Sequence, residues 1–226
     1  MRNAIAGSMI SLVVTMALAV VPTQAFGASK ATTNDQAPPQ AINGEQQTSA
    51  AQANSSEENF QKAHESFMKK DTQAAAVEIL KGAAFLKVEA SHASGQAKQA
   101  LNASVQELER LAQAVEQGTV TSGQDLRRAF ARADRALAEE HFQEAVESWS
   151  KKEVHKTGQD LTAAADDVRQ AFSWTGQKLN STTEAAINDA HGVVTKLIEG
   201  VAWTREEVGK DLDTMSKEIG KLRQQV

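Results

Sequence analysis

The chain has no cysteine, no tyrosine and only three prolines, all before residue 40. Each absence removes a class of protein. Without cysteine there is no disulfide, no thiolate nucleophile, no zinc–thiolate cluster and no lipid-bearing residue after an export signal. From Glu57 onward there is no proline to break a helix, a strong helical signal over residues 57–226. An excess of basic residues is missing too: 24 Lys and Arg face 29 Asp and Glu. General nucleic-acid binding, which needs a basic surface to neutralise phosphates, is thereby excluded. Period-two alternation and the aromatic and β-branched enrichment of strands are also lacking.

The one long apolar run is N-terminal. Arg2 precedes a stretch from Ala4 to Val21 broken only by Ser8, Ser11 and Thr15, and Pro22 then leads into Thr23-Gln24-Ala25. A positive n-region, an apolar h-region and a small-residue exit predict a secretory signal peptide over residues 1–25. The alternative is an uncleaved anchor, since the run approaches the ~20 residues that span a bilayer. Either way the rest of the chain is expected outside the cytoplasm, most simply in a bacterial periplasm. Cleavage removes Arg2 and no acid, leaving 23 basic and 29 acidic residues and a formal charge of −6. Residues 26–56, rich in Ala, Gln, Thr, Asn and Ser, carry too little apolar surface to offset their conformational entropy and predict a disordered linker.

Residues 57–226 predict an all-α fold. Ala76, Ile79, Leu80, Ala83, Leu86 and Ala90 mark one helical face, as do Leu101, Val105, Leu108, Leu111 and Val115, and Leu126, Phe130, Ala133 and Leu137. Phe142, Ala145, Val146 and Trp149 form a shorter stripe. Boundaries are signalled by a Ser55/Glu58 capping box, by Asp71, by a turn over 92–95, by Gly118, and by Thr121 or Ser122. The architecture expected is an elongated antiparallel bundle: helical hairpins over 57–156, then a long helix or helix pair over 157–226. In that last part an apolar stripe runs from Val168 to Leu222 at spacings of three and four. A single helix from Asp160 to Val226 would be roughly 100 Å long. Breaks are signalled at Thr175-Gly176, by a Ser181/Glu184 box, and by Gly200 with a Thr204/Glu207 box. The three tryptophans, 149, 174 and 203, are expected as core anchors in so alanine-rich a bundle.

Two internal echoes suggest duplication. Residues 62–77 align with 132–146 at an offset of 70, as helix, tight turn near Asp71 or His141, and helix. The sequence Ser122-Gly-Gln-Asp-Leu126 echoes Thr157-Gly-Gln-Asp-Leu161 as a helix start, with weaker copies at 94–96 and 175–177. With Ala63, Phe67, Asp71, Ala75 and Leu80, the first hairpin also resembles a tetratricopeptide helix pair. It departs from that family in lacking the 34-residue period and the helix-ending proline. On the stretches 74–87 and 131–149, the chain is similar to uncharacterised exported helical proteins of bacteria, a resemblance that implies the fold and no activity.

Candidate chemistry is sparse. No pair of the five histidines has the i, i+3 or i, i+4 spacing of two metal ligands on one helix. The nearest approach to a ligand set is Glu89-Ala-Ser-His92, a single Glu-x-x-His element, with His141 and Glu144; His64 and Met68 form another single-turn pair. These read as solvated groups, so no metal or cofactor is assigned. Neighbouring acids at 57–58, 139–140, 166–167 and 206–207 point about 100° apart on a helix and read as solvated faces. With no nucleophile elbow, phosphate loop or dinucleotide fingerprint, no catalytic residue is assigned and no enzyme is expected. The leading expectation is a non-enzymatic envelope protein acting through protein contacts or self-association, as scaffold, adaptor or stress-protective factor. A membrane-surface protein, or a carrier of a metal or small ligand within the bundle, is the alternative.

Overall fold

The structure, a computed structural model, describes residues 48–200 and 202–225, with side chains from Ser56 onward. The predicted signal peptide and residues 26–47 of the linker lie outside that range. The described residues form seven α-helices and no strand: α1 (Thr48–Met68), α2 (Thr72–His92), α3 (Gly95–Glu116), α4 (Gly123–Ser150), α5 (Val154–Thr175), α6 (Ser181–Glu199) and α7 (Arg205–Leu222). The all-α bundle expected from the sequence is the fold observed. None of these helices is long and apolar enough to cross a membrane.

The caps show why the helices stop where they do. The Asp71 carboxylate accepts from Ala74 N at 3.0 Å at the start of α2. Ser122 caps α4, and Thr204 with Glu207 forms a complete capping box on α7. Gly118 adopts φ +68°, and Thr119 N donates to Ala114 O while Gly118 N donates to Val115 O, closing α3 in a Schellman motif. Two predicted caps differ. Helix α1 begins at Thr48, so Ser55 lies inside it, not at its start. The cap of α6 is Asn180, whose side chain accepts from Thr182 N and Thr183 N, one residue before Ser181. Left-handed Gly176 and Gly200 break the C-terminal stripe, so residues 154–222 form three helices rather than one.

The duplication is real, but at a different offset. The segment Glu57-Glu-Asn-Phe-Gln-Lys-Ala-His-Glu-Ser-Phe-Met-Lys-Lys-Asp71 aligns with Glu139-Glu-His-Phe-Gln-Glu-Ala-Val-Glu-Ser-Trp-Ser-Lys-Lys-Glu153, an offset of 82. Nine of these fifteen positions are identical. Both segments end in the same turn: Lys70 and Lys152 are left-handed, at φ +63° and +65°. Asp71 N and Glu153 N each donate to a Ser carbonyl, Ser66 and Ser148, at 2.9 Å. The core follows the same offset, with Ala63/Ala145, Ile79/Leu161, Ala83/Ala165, Leu86/Val168, Phe130/Leu212 and Leu137/Ile219 all buried. Helices α1–α3 and the first half of α4 thus recur as the second half of α4 and α5–α7. The offset of 70 fails because His141, its supposed turn, lies in the middle of α4. The Gly-Gln echo marks a helix start at Ser94 and Ser122, the N-caps of α3 and α4, but not elsewhere: Thr157 lies a turn inside α5, and Thr175-Gly176 ends that helix.

Each copy has its own core. One cluster, from Phe60 to Leu137 with Trp174, is centred on Phe60 and Phe130, stacked at 4.5 Å, with Trp174 edge-on to Phe130 at 5.1 Å. The other runs from Ala138 to Leu222. Trp149 and Trp203 pack edge-on at its margin. Helix α4, roughly 42 Å long at 1.5 Å per residue, runs through both. The seam between the cores falls at Leu137–Ala138, and buried Glu140 and His141 lie just beyond it.

Candidate metal centre

Helix α4 continues its buried stripe through Phe130, Asp134, Leu137, His141, Ala145 and Ser148, spaced four, three, four, four and three. On α5 the buried stripe includes Asp160, Ala164, Asp167, Ala171 and Trp174. Ionisable residues therefore occupy core register on two helices that share the largest interface in the bundle. His141 Nδ1 lies 2.7 Å from Asp167 Oδ2, with His141 only 3 % and Asp167 only 6 % exposed. The ring's other nitrogen, Nε2, faces Glu140 Oε2 at 3.5 Å. Glu89, from the last turn but one of α2, completes the group: ligand atoms of Glu89, Glu140 and His141 lie within 4.8 Å of one another. Glu140 Oε2 is buried and has no hydrogen-bond partner.

Burial raises Glu140 to about 8; His141 opposes that shift, while Glu144, Glu89 and Asp167 add to it. Burial presses His141 down, but the charge and hydrogen bond of Asp167, with Glu140 and Glu89, lift it to about 9. Glu89 and Asp167 are raised as well, in both cases chiefly by burial. Three carboxyls thus crowd one imidazole in a largely buried seam. Around them, Lys156 bridges Glu144 at 3.2 Å and Asp160 at 3.0 Å, and Ser148 donates to Asp160 at 2.8 Å.

Such a set can hold a divalent cation. Asp167 accepts the Nδ1–H hydrogen bond and orients the ring, so that Nε2, once it gives up its proton, can offer a lone pair to a metal, the arrangement of a metal-binding histidine. One nitrogen and two carboxylates suit a first-row ion such as Zn²⁺, Mn²⁺ or Fe²⁺. Calcium, which takes six to eight oxygens, is poorly served. Ligand atoms around an ion at ~2.1 Å lie about 3.4 Å apart, so the side chains close by roughly 1 Å on binding.

Of the four residues nearest to a ligand set in sequence, the structure brings Glu89 and His141 together. Glu144 lies beside them and pairs with Lys156, while His92 is exposed at the end of α2. Two expectations are corrected. His141 is buried, not solvated, and Glu140 and Asp167 are buried members of acidic pairs whose partners, Glu139 and Asp166, lie nearer solvent. Adjacent acids do diverge by about 100°, and that divergence is what sends one of each pair into the seam. The ligands converge from three helices, which single-helix spacing cannot register. No family model, curated protein or solved structure matches the chain.

The internal repeat supplies its own comparison. At an offset of 82, His141 corresponds to Asn59, Asp167 to Phe85, Glu89 to Ala171, and Glu140 to Glu58, which is exposed and paired with Lys62 at 2.5 Å. The same hairpin therefore folds without a buried ionisable group at any of these positions. Packing alone does not call for the cluster.

Proposed function

We propose that this is a non-enzymatic, exported helical protein that carries a divalent first-row metal ion in the seam between its two repeats. One observation carries the reading: the buried, unpartnered Glu140 Oε2 faces a histidine whose other nitrogen is held by Asp167. Burial disfavours the ionised form of Glu140, and a cation in place of its proton is a partner that would stabilise that form. Three protein ligands leave coordination positions for water, which suits exchange and carriage rather than a purely structural ion. Export rests on the residues of the N-terminus, Arg2, the run to Val21 and Thr23-Gln24-Ala25. Equilibrium dialysis of the metal-free protein against Zn²⁺, Mn²⁺ and Fe²⁺ tests the reading, with His141→Gln as control. One ion bound per chain, lost in the variant, supports it; equal uptake by both proteins rejects it.

Action through protein contacts has its own support in α2. That helix buries Ile79 and Leu86 on one side, yet leaves Val77 48 %, Leu80 46 % and Val88 48 % exposed on another. Exposed apolar residues at helical spacing suit a helical partner or a second copy. Light scattering on the wild type and on Leu80→Glu tests it; two monomers of equal mass at all concentrations would count against self-association.

A further inference from the structure

The arginines of this acidic protein are unevenly placed. Arg132 forks onto Glu107, Arg135 lies 3.6 Å from Glu139, Arg169 pairs with Asp166 and Arg223 with Glu139. Arg110, Arg127, Arg128 and Arg205 make no ion pair among the described residues, and the first three border two cavities around the first turns of α4.

One of these cavities, about 390 Å³, is enclosed by Arg127, Arg128 and Arg132 of α4, Trp174 and Thr175 at the end of α5, and the amides of Gln124, Gln177 and Gln225. Buried Ala131 and Trp174, which is 93 % buried, line it as well, and the Trp174 side chain also serves Asp134. Left-handed Gly176 turns the chain so that Gln177 returns to the rim. Of the three guanidiniums that line it, Arg132 is paired, with Glu107. The local field is positive: burial and then Arg127 hold His64 below the usual imidazole range. The repeat again shows what the fold does not require. Arg127, Arg128 and Arg132 correspond to Gly209, Lys210 and Thr214 of α7.

We propose that this cavity binds a small oxyanion, a phosphate or carboxylate group, through Arg127 and Arg128. Planar guanidinium forks match the paired oxygens of either group, and the glutamine amides supply further neutral donors. The Trp174 ring gives the cavity a flat apolar wall for the remainder of a carboxylate ligand. The site is separate from the metal centre and makes no use of its residues, so chelation leaves it unchanged.

Calorimetric titration of the intact protein at low salt tests the proposal, with inorganic phosphate in one arm and citrate in the other. Saturable binding of either anion is expected, weakening by about tenfold or more in Arg127→Ala/Arg128→Ala. Arg205→Ala, which removes an unpaired arginine elsewhere, is expected to bind as wild type does. Arg127→Lys/Arg128→Lys keeps the charge but loses the fork, and is expected to fall between the two. Phosphate binding alone identifies a phosphate site, and citrate binding alone a carboxylate site. No saturable heat with either anion, or equal affinity in the double alanine variant, overturns the proposal.

Discussion

Replacing Glu140 with Gln should stabilise the metal-free protein while abolishing its metal site. The carboxyl stands at about 8 in the fold, against an ordinary 4.5. At pH 7 the folded protein keeps it protonated while the unfolded chain ionises it. Each pH unit above 4.5 costs about 1.4 kcal/mol, so the wild type gives up roughly 3 kcal/mol at pH 7. Glutamine has the same shape and carries no proton to hold. Coupling to His141 takes back part of the gain, which leaves a stabilisation of about 1–3 kcal/mol, or roughly 2–10 °C in Tm for a chain of this size. The gain should shrink below about 1 kcal/mol at pH 5, only half a unit above the ordinary value of the unfolded carboxyl. Thermal melting of both proteins in chelator at pH 5 and pH 7 measures it, and dialysis against Zn²⁺ gives the binding side. A variant less stable than wild type at pH 7, or a difference that does not change with pH, would refute the reasoning.

Three further outcomes follow from the same structure. In the metal-free wild type, His141 is raised from 6.5 to about 9 and Glu140 from 4.5 to about 8, so the fold binds more protons than the unfolded chain between pH 5 and 9. Stability should therefore fall as pH rises through that window, by on the order of a few kcal/mol in urea titrations; a rise would contradict the assigned shifts. Gly82→Ala would drive a Cβ into Phe60 Cε1, in the ring stacked on Phe130, and should cost about 1–3 kcal/mol in chemical denaturation. The matching position in the second copy is already alanine, Ala164, beneath a Phe142 that is only half buried, so the penalty belongs to the first copy alone. Lys70→Gly and Lys152→Gly each relieve a left-handed side chain and should each add about 0.5–1 kcal/mol to stability in melting experiments, with no effect on metal uptake.

Much of the fold is legible in the sequence because helices are local. Asp71, Gly118, Ser122 and the Thr204/Glu207 box mark boundaries through neighbours within one turn, and the structure uses each of them. The C-terminal stripe told that Val168, Val194, Leu212 and Leu222 would be buried, but not against what; that depends on Gly176 and Gly200 turning the chain back. Leu80 shows the limit of periodicity, since it shares the pattern of Ile79 and Ala83 yet points outward. The site was harder to read because its ligands come from α2, α4 and α5. A trace was present even so: Asp134 and His141 stand in register with Phe130 and Leu137, and a charged residue in register with a core stripe is a buried one. The offset of 82 was legible as well, in the repeated Phe-Gln and Glu-Ser pairs ahead of Lys-Lys.

The repeat turns that register into an argument about function. A buried ionisable residue has two explanations, a need of the fold or a need of the chemistry, and one structure of one sequence ordinarily cannot separate them. Here the same hairpin is built twice in a single chain, under the same solvent and with the same Lys-Lys turn. Where the second copy places Asp167, the first places Phe85; where the first places Glu89, the second places Ala171. Each copy is thus a control for the other, and in each the apolar choice folds. At these positions the polar choices bring their carboxyls to a single histidine. Folding pressure acting on either copy alone gives no reason for that convergence. A cation shared between the copies gives one, and it accounts for why Glu89 comes from the first and Glu140, His141 and Asp167 from the second.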